Sequence, residues 1–327
     1  MNLKSLRNPD LYHGRIGKNY FEGWYFKLVD AGQKHACAFI PGVFYNANPE
    51  NSHAFIQIVD GIKRTYRYER FPAESFSASN QVFSLKVNGS SFGREGIYFD
   101  LNSKATSING QLRFKNHYDW PDSFINPGSM GFYNYILKMQ CYSQVCSLDF
   151  DLEGSLNIDG ETVDFTGGRG YIEKNWGSAF PYSWVWIQCN HFEKEHASLS
   201  CSLAHIPFLF TSFRGFLIGL MVDGAFYEFT TMNRSSSEVT QTGTDITLHL
   251  QNRYHSLVIE CETNNEDFIL LNGPRGDQMV PLVQENLQGV VHLELKEIGS
   301  GKILFTDTGN CAGVEYGGDQ MLVVDQE

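Results

Sequence analysis

Long basic runs are missing from this chain: none exceeds Lys63-Arg64, and the formal net charge is −12. A nucleic-acid partner needs concentrated positive surface to meet its phosphates, so that class is excluded. An anionic membrane surface is disfavoured for the same reason. No apolar run is long enough to span a bilayer. The most apolar segment, Ile206 to Val222, carries Arg214 at its centre and reads as two core strands. Met1 to Asp10 has no apolar core of the kind a signal peptide needs, so a cytoplasmic location without stable membrane insertion is expected.

Paired CxxC spacing, HExxH and Gly-x-Ser-x-Gly are likewise absent. The seven cysteines, Cys37, Cys141, Cys146, Cys189, Cys201, Cys261 and Cys311, are odd in number and fit buried reduced thiols better than a disulfide framework. The histidines are scattered. His191 and His196 fall on opposite faces of a strand, so no metal site is expected. Gly168-Arg169-Gly170 lacks the third glycine and the following helix of a dinucleotide loop. Gly299-Ser300-Gly301-Lys302 has Ile303 where a phosphate loop needs Ser or Thr, and reads as a hairpin turn.

Aromatics, glycines and turn signals are abundant. Aromatic residues make up 14% of the chain, with 25 Phe and 16 Tyr beside 31 Gly, a balance that leans towards strands. The 327 residues suffice for two domains or one large all-β unit. Asp60-Gly61, Asp159-Gly160 and Asp223-Gly224 each separate two β-prone runs and read as hairpin turns, with Asn88-Gly89, Asn109-Gly110 and Asn272-Gly273 as weaker versions. Strict alternation marks Leu148 to Glu153 and Val291 to Lys296 as strands. No window longer than about three turns reads as an amphipathic helix. The fold class is therefore all-β, an antiparallel meander in barrels or sandwiches. The two halves read as versions of one β unit. Their boundary is placed at the glycine run near residue 167, giving domains 1–166 and 167–327.

Gly167 to Gly177 places Glu173, Lys174 and Asn175 beside a glycine-rich bend, and Trp176, Trp184 and Trp186 follow within eleven residues. An acid and a carboxamide beside indole rings suit a pocket that binds a large apolar molecule and moves one proton. A buried ion pair in a Trp-rich core is the competing explanation. Adjacency sends Glu173 and Lys174 to opposite faces of a strand, so each needs its own partner, with Arg169 and Glu22 among the candidates. Gln188 and Asn190 follow the alternation of Trp184 and Trp186, and amides on a tryptophan face imply a partly wet surface.

The N-terminal run Tyr20 to Lys27 echoes this pattern as a first strand with a bulge at Gly23. Glu22, Trp24 and Phe26 share one face; Phe21, Gly23 and Tyr25 share the other. Inside a barrel lumen, desolvation would raise the Glu22 pKa and suit it to act as a general acid.

Phe21-Glu22-Gly23-Trp24-Tyr25-Phe26, together with Glu173-Lys174-Asn175-Trp176-Gly177, Phe180-Pro181 and Trp186-Ile187-Gln188-Cys189-Asn190, resembles the tocopherol cyclase family. Asp223-Gly224-Ala225-Phe226-Tyr227 and the closing Val314-Glu315-Tyr316-Gly317-Gly318 resemble its C-terminal runs. The resemblance implies two lipocalin-like β-barrel halves. It also implies closure of a chromanol ring on a prenylated hydroquinol, an intramolecular lyase or isomerase reaction without a redox cofactor. Such chemistry protonates a trisubstituted alkene and captures the tertiary cation with the phenol oxygen. The implied proton donor is Glu22 or Glu173. Lys174 would hold a carboxylate or the quinol oxygen, and Asn175 would orient the phenol. Trp24, Tyr25, Trp176, Trp184, Trp186, Gln188 and Asn190 would line the substrate site, the indole faces serving the cation. The alternative is a non-catalytic lipocalin-like carrier of a hydrophobic small molecule, an isoprenoid quinol or another lipid. The two differ in whether a carboxylate reaches the ligand.

Overall fold

A computed structural model describes residues 3–15, 17–136, 139–194, 196–208, 211–319 and 322–325. The chain divides into two compact units, one of Met1–Phe180 with Asn272–Pro281, the other of Pro181–Leu271 with Leu282–Glu327. The division falls after Phe180 rather than at the glycine run near residue 167. The run cannot be a linker, because Arg169–Gly177 is itself a strand hydrogen-bonded on both edges.

The first sheet contains β1 (Tyr20–Val29), β2 (Ala36–Tyr45), β3 (His53–Asp60), β4 (Thr65–Pro72), β5 (Phe76–Ala78), β6 (Ser84–Val87), β7 (Ser90–Gly93), β8 (Gly96–Asn102), β9 (Ser107–Tyr118), β10 (Cys141–Ile158), β11 (Glu161–Asp164) and β12 (Arg169–Gly177). Its order is β4-β3-β2-β1-β12-β10-β9-β8-β7-β6-β5, with β11 paired to β10. The second contains β13 (Ser183–Cys189), β14 (Ala197–Phe208), β15 (Thr211–Val222), β16 (Ala225–Thr230), β17 (Ser236–Thr242), β18 (Asp245–Gln251), β19 (His255–Glu262), β20 (Ile269–Arg275), β21 (Gln278–Glu297) and β22 (Ile303–Gly318). Its order is β16-β15-β14-β13-β22-β21-β19-β18-β17, with β20 on β21. Each sheet runs a four-strand meander outward from its first strand and closes that strand onto its last. The halves are thus two copies of one lipocalin-like antiparallel β unit.

Local chemistry explains the hairpins. Asp159 and Gly160 take φ values of 53° and 90°, and Asp223 and Gly224 take 46° and 80°, the left-handed pair that a two-residue turn requires. Asn88-Gly89 is a third such turn, with φ of 45° and 92°. Asp60-Gly61 instead opens a wider turn in which the Asp60 side chain accepts from Lys63 N. Asn109-Gly110 and Asn272-Gly273 lie inside β9 and β20. Asn109 is paired with both Asp100 and Asn157, which excludes a chain reversal there.

The bulge expected at Gly23 is absent: β1 pairs with β12 and β2 without a register shift. Gly23 lies opposite Gly42, and the Phe55 ring occupies the space where a side chain on Gly42 would stand. Gly42 thus serves ring packing, whereas a Cβ on Gly23 would meet only ordinary contacts, the nearest 3.7 Å away.

One face of each sheet lines an apolar core. In the first unit Trp24, Phe26, Phe39, Phe92, Phe99, Phe114 and Phe150 are among its members. Their rings touch, with centroids 4.9 Å apart for Phe39–Phe99 and 4.4 Å for Phe114–Phe150. The second core gathers Val185, Ile187, Leu199, Leu203, Ile218, Leu248, Leu293 and Val314. No helix among the described residues is long and apolar enough to cross a membrane.

Candidate active site

Strand β12 separates two chemistries by alternation. Lys174 and Trp176 face the core side with Glu22 and Trp24 of β1, whereas Tyr171, Glu173 and Asn175 face the opposite side with Tyr25 and Gly23.

On the core side Lys174 Nζ lies 2.6 Å from Glu22 Oε1, with neither side chain exposed. The ammonium also donates to the carbonyls of Pro9 and Leu11 and touches His13 Nδ1. It sits 4.8 Å from the Trp24 ring centroid and 4.6 Å from that of Trp176, so the cation that these indoles face is the protein's own. His13 stacks on Trp176 at 4.1 Å, and Tyr142 stacks on Trp176 at 5.2 Å. The remaining Glu22 lone pairs accept from His13 N and the Tyr20 hydroxyl.

Burial opposes the Glu22 charge, but Lys174 and the His13 hydrogen bond outweigh it and hold the carboxyl below its usual range. The pKa increase expected from a lumen position does not occur, because the partner cation came into the lumen too. Burial, seconded by Lys174, lowers His13 to about 4, and it lowers Lys174 against the pull of Glu22. Nδ1 of neutral His13 lies 2.8 Å from Lys174 Nζ and 3.3 Å from Glu22 Oε1, so it accepts from the ammonium in one tautomer and donates to the carboxylate in the other. Nearby, burial raises Asp10 to about 6, although Gln144 Nε2 donates to it at 2.9 Å.

The opposite face carries Glu173, 6% exposed and bound by three side-chain donors, among other contacts. Its Oε1 accepts from Ser143 Oγ at 3.0 Å and Asn175 Nδ2 at 3.1 Å; its Oε2 accepts from the Tyr171 hydroxyl at 2.7 Å. Tyr25 lies directly across on β1. The same face continues through Phe21 into a cluster with Phe44 and Phe55, against which Ile40, Tyr68 and Phe180 pack. A carboxyl group with exchangeable hydroxyl neighbours can pass a proton to a ligand that reaches it.

The second unit has its own buried polar face. Trp184, Trp186 and Gln188 alternate along β13, opposite Gly317, Glu315 and Gly313 of β22 and Ala204, Ser202 and Ser200 of β14. Trp184 Nε1 donates to Glu315 Oε1 at 2.7 Å. The indoles lie over glycines: a Cβ on Gly317 would fall 2.0 Å from the Trp184 ring, and one on Gly313 would fall 2.8 Å from that of Trp186. Asn190 follows just past the strand, its Oδ1 2.9 Å from His191 Nδ1.

The structure thus gathers Glu22, Lys174, Trp24 and Trp176 in one cluster. Glu173, Asn175 and Tyr25 form another, and Trp184, Trp186 and Gln188 a third. Asp10, His13, Tyr171 and Glu315 were not anticipated. Tyr171 was readable, since it stands two residues before Glu173 and must share its face. Asp10 and His13 come from an irregular segment with no periodicity to read. Among the described residues no three His, Cys, Asp or Glu side chains are grouped to hold a metal ion.

A family model described as tocopherol cyclase-like matches residues 90–318. A probable chloroplastic tocopherol cyclase of Oryza sativa subsp. japonica is 30% identical over 183 residues, covering 54% of this chain and 39% of that protein. The chloroplastic tocopherol cyclase of Zea mays is 33% identical over 193 residues, again 54% of this chain and 39% of its own length. The chain therefore spans about two-fifths of the length of these curated relatives. Among solved structures, CghA with Sch210972 superposes with a TM-score of 0.58 at 12% identity over 92% of this chain and 89% of the other, a likeness of fold. With a match across the larger part of its length, this chain belongs to the tocopherol cyclase-like family.

Proposed function

We propose that the protein closes a chromanol ring on a prenylated hydroquinol by acid catalysis without a redox cofactor, and that Glu173 carries the proton. The observation that carries this reading is the placement of Glu173. It lies buried on the face away from the packed core, bound to Tyr171, Ser143 and Asn175, and shares that strand face with Phe21, which stands four residues along β1 from Tyr25, its paired residue. The first unit's interior is occupied by touching phenylalanines, which directs an apolar ligand to this outer face instead.

In the proposed step the Glu173 carboxyl gives its proton to the trisubstituted alkene and leaves a tertiary cation. The phenol oxygen attacks that cation, and its proton returns to the Glu173 carboxylate, directly or through the Tyr171 hydroxyl. The acid is regenerated and substrate and product are isomers. Asn175 orients the phenol, and Tyr25 offers an aromatic face opposite the acid. Folding the prenyl tail over the head group against the apolar cluster supplies the proximity on which ring closure depends. Glu22 and Lys174 hold the strands that present Glu173. On the second unit, the Trp184, Trp186, Gln188 and Asn190 face is proposed as a surface for the same class of apolar molecule.

The test is turnover of a prenylated hydroquinol by the wild type and Glu173→Gln. General acid catalysis contributes ~10²–10⁴-fold, so a loss of that order with ligand binding retained is expected. Undiminished turnover by Glu173→Gln removes this acid. Retention of the quinol by the wild type with no turnover, read by native mass spectrometry, favours the carrier.

A further inference from the structure

Between β9 and β10 the chain leaves the sheet and carries the two most exposed large apolar side chains among the described residues. Phe124 is 79% exposed and Ile125 74%, with Phe132 at 43% and Tyr135 at 40%. Phe124 and Ile125 stand at the tip of a closed turn, in which Ser123 N donates to Asn126 O and Asn126 N to Ser123 Oγ, both at 3.1 Å. Glycine, proline and small polar residues are the usual occupants of such corners. The base of the turn is fastened. The Tyr135 hydroxyl donates to Phe124 O at 2.8 Å and Asn134 Nδ2 to Pro127 O at 2.6 Å. Ser129 N donates to Gln144 Oε1 at 2.9 Å, and Ser129 Oγ accepts from Val145 N at 3.0 Å. These bonds hold the two apolar side chains outward.

The electrostatics of the tip differ from those of the chain as a whole. On a protein of net charge −12, no charged residue occurs from Ser123 to Ile136. The acids that precede the tip are neutralised, Asp119 by Arg94 and Asp122 by Arg7, each at 2.7 Å. Little charge therefore has to be dehydrated when this tip meets a lipid surface. Four side chains present far less than the roughly 1,200 Å² that a stable protein interface needs. They suit the shallow insertion of aromatic and aliphatic groups into a bilayer interface.

We infer that the Phe124–Ile125 tip docks into the interfacial zone of an electrically neutral lipid bilayer, from which the protein draws an isoprenoid-tailed substrate. The choice of a bilayer as occupant rests on the substrate class proposed above. The mode is peripheral, and no segment crosses the membrane.

The test is flotation of the full chain with phosphatidylcholine vesicles in the absence of substrate, comparing the wild type with the doubly substituted Phe124→Ser, Ile125→Ser variant. The wild type is expected to float and the variant to partition at least tenfold less, with an unchanged melting temperature. Turnover of a detergent-dispersed, short-chain prenylquinol should be unchanged in the variant, while turnover of vesicle-embedded quinol should fall with the partitioning. A wild type that stays in the aqueous fraction overturns the inference, as does a variant that floats equally well. Light scattering that shows a dimer becoming a monomer in the variant, with flotation unaltered, assigns the tip to a second copy and also overturns it. Flotation needs no catalysis, so its outcome is separable from that of the cyclase reading.

Discussion

Lys174 Nζ and Glu22 Oε1 are 2.6 Å apart with both side chains at 0% exposure, and they join β12 to β1 across 152 residues of sequence. Removing one partner leaves an uncompensated buried charge, which costs about 3–5 kcal/mol. Lys174→Met alone should therefore destabilise strongly, and the Glu22→Gln, Lys174→Met double variant should be more stable than the sum of the single effects implies. Denaturant unfolding of the four proteins of this cycle measures the coupling. Additive effects would mean that the pair contributes nothing as a pair.

His13 and Asp10 set opposing pH dependences. Between about 4, where folded His13 titrates, and its ordinary 6.5, only the unfolded chain takes up that proton, so His13 makes stability fall as pH drops through this window. Asp10 titrates near 6 when folded and at 3.8 when unfolded. Its contribution is full below 3.8 and is lost as pH rises through about 6. At about 1.4 kcal/mol per pH unit, each term has an upper bound of about 3 kcal/mol. The two nearly cancel in the wild type. Asp10→Asn should unmask the histidine, so that the variant loses stability more steeply than the wild type between pH 6 and 4. Parallel stability–pH curves for the two proteins would contradict this assignment.

Gly317 is a packing glycine. A methyl group there would fall 2.0 Å from the Trp184 ring, whose Nε1 is bonded to Glu315. Gly317→Ala must displace the indole or the strand, and overpacking of this kind costs roughly 1–3 kcal/mol. The expected signature is a lower melting temperature together with a changed tryptophan emission. Gly299 has nothing within 4 Å and no left-handed φ, so Gly299→Ala serves as the neutral control.

Strand alternation made the faces legible in the sequence. Glu22, Trp24 and Phe26 do share the core side, and Trp184, Trp186 and Gln188 do share the polar side. Asp-Gly pairs located two hairpins because φ > 0 at adjacent positions is a local requirement. What depends on distant chain was not legible. The Glu22 pKa was expected to rise because desolvation is readable from a face, whereas the Lys174 that reverses it arrives from another strand. Asp10 and His13 cap this cluster from a segment with no repeating pattern, and no local rule announces a residue whose role is set by where the chain end packs. Glu315 was seen only as part of a family run, although its place between Gly313 and Gly317 already aligns it with Trp186.

The thiols provide a test of the packing of both units at once. None of the seven cysteines is in a disulfide, six are buried, and Cys141 alone is partly exposed. Alkylation needs the thiolate and access to it. Burial pushes the thiols of Cys37, Cys146, Cys201 and Cys261 well above their ordinary value, so these groups are both hidden and protonated. Iodoacetamide at mildly alkaline pH should therefore modify one cysteine in the native protein, at Cys141, and all seven in denaturant. Mass spectrometry of the intact chain counts the adducts and peptide mapping places them. Labelling of Cys201 or Cys261 at the rate of Cys141 would mean that the second core opens on the time scale of the reaction. Labelling of Cys37 or Cys146 at that rate would mean the same for the first. In either case the melting temperature should fall for any ligand-free preparation that shows it, because these cores are what each sheet folds around.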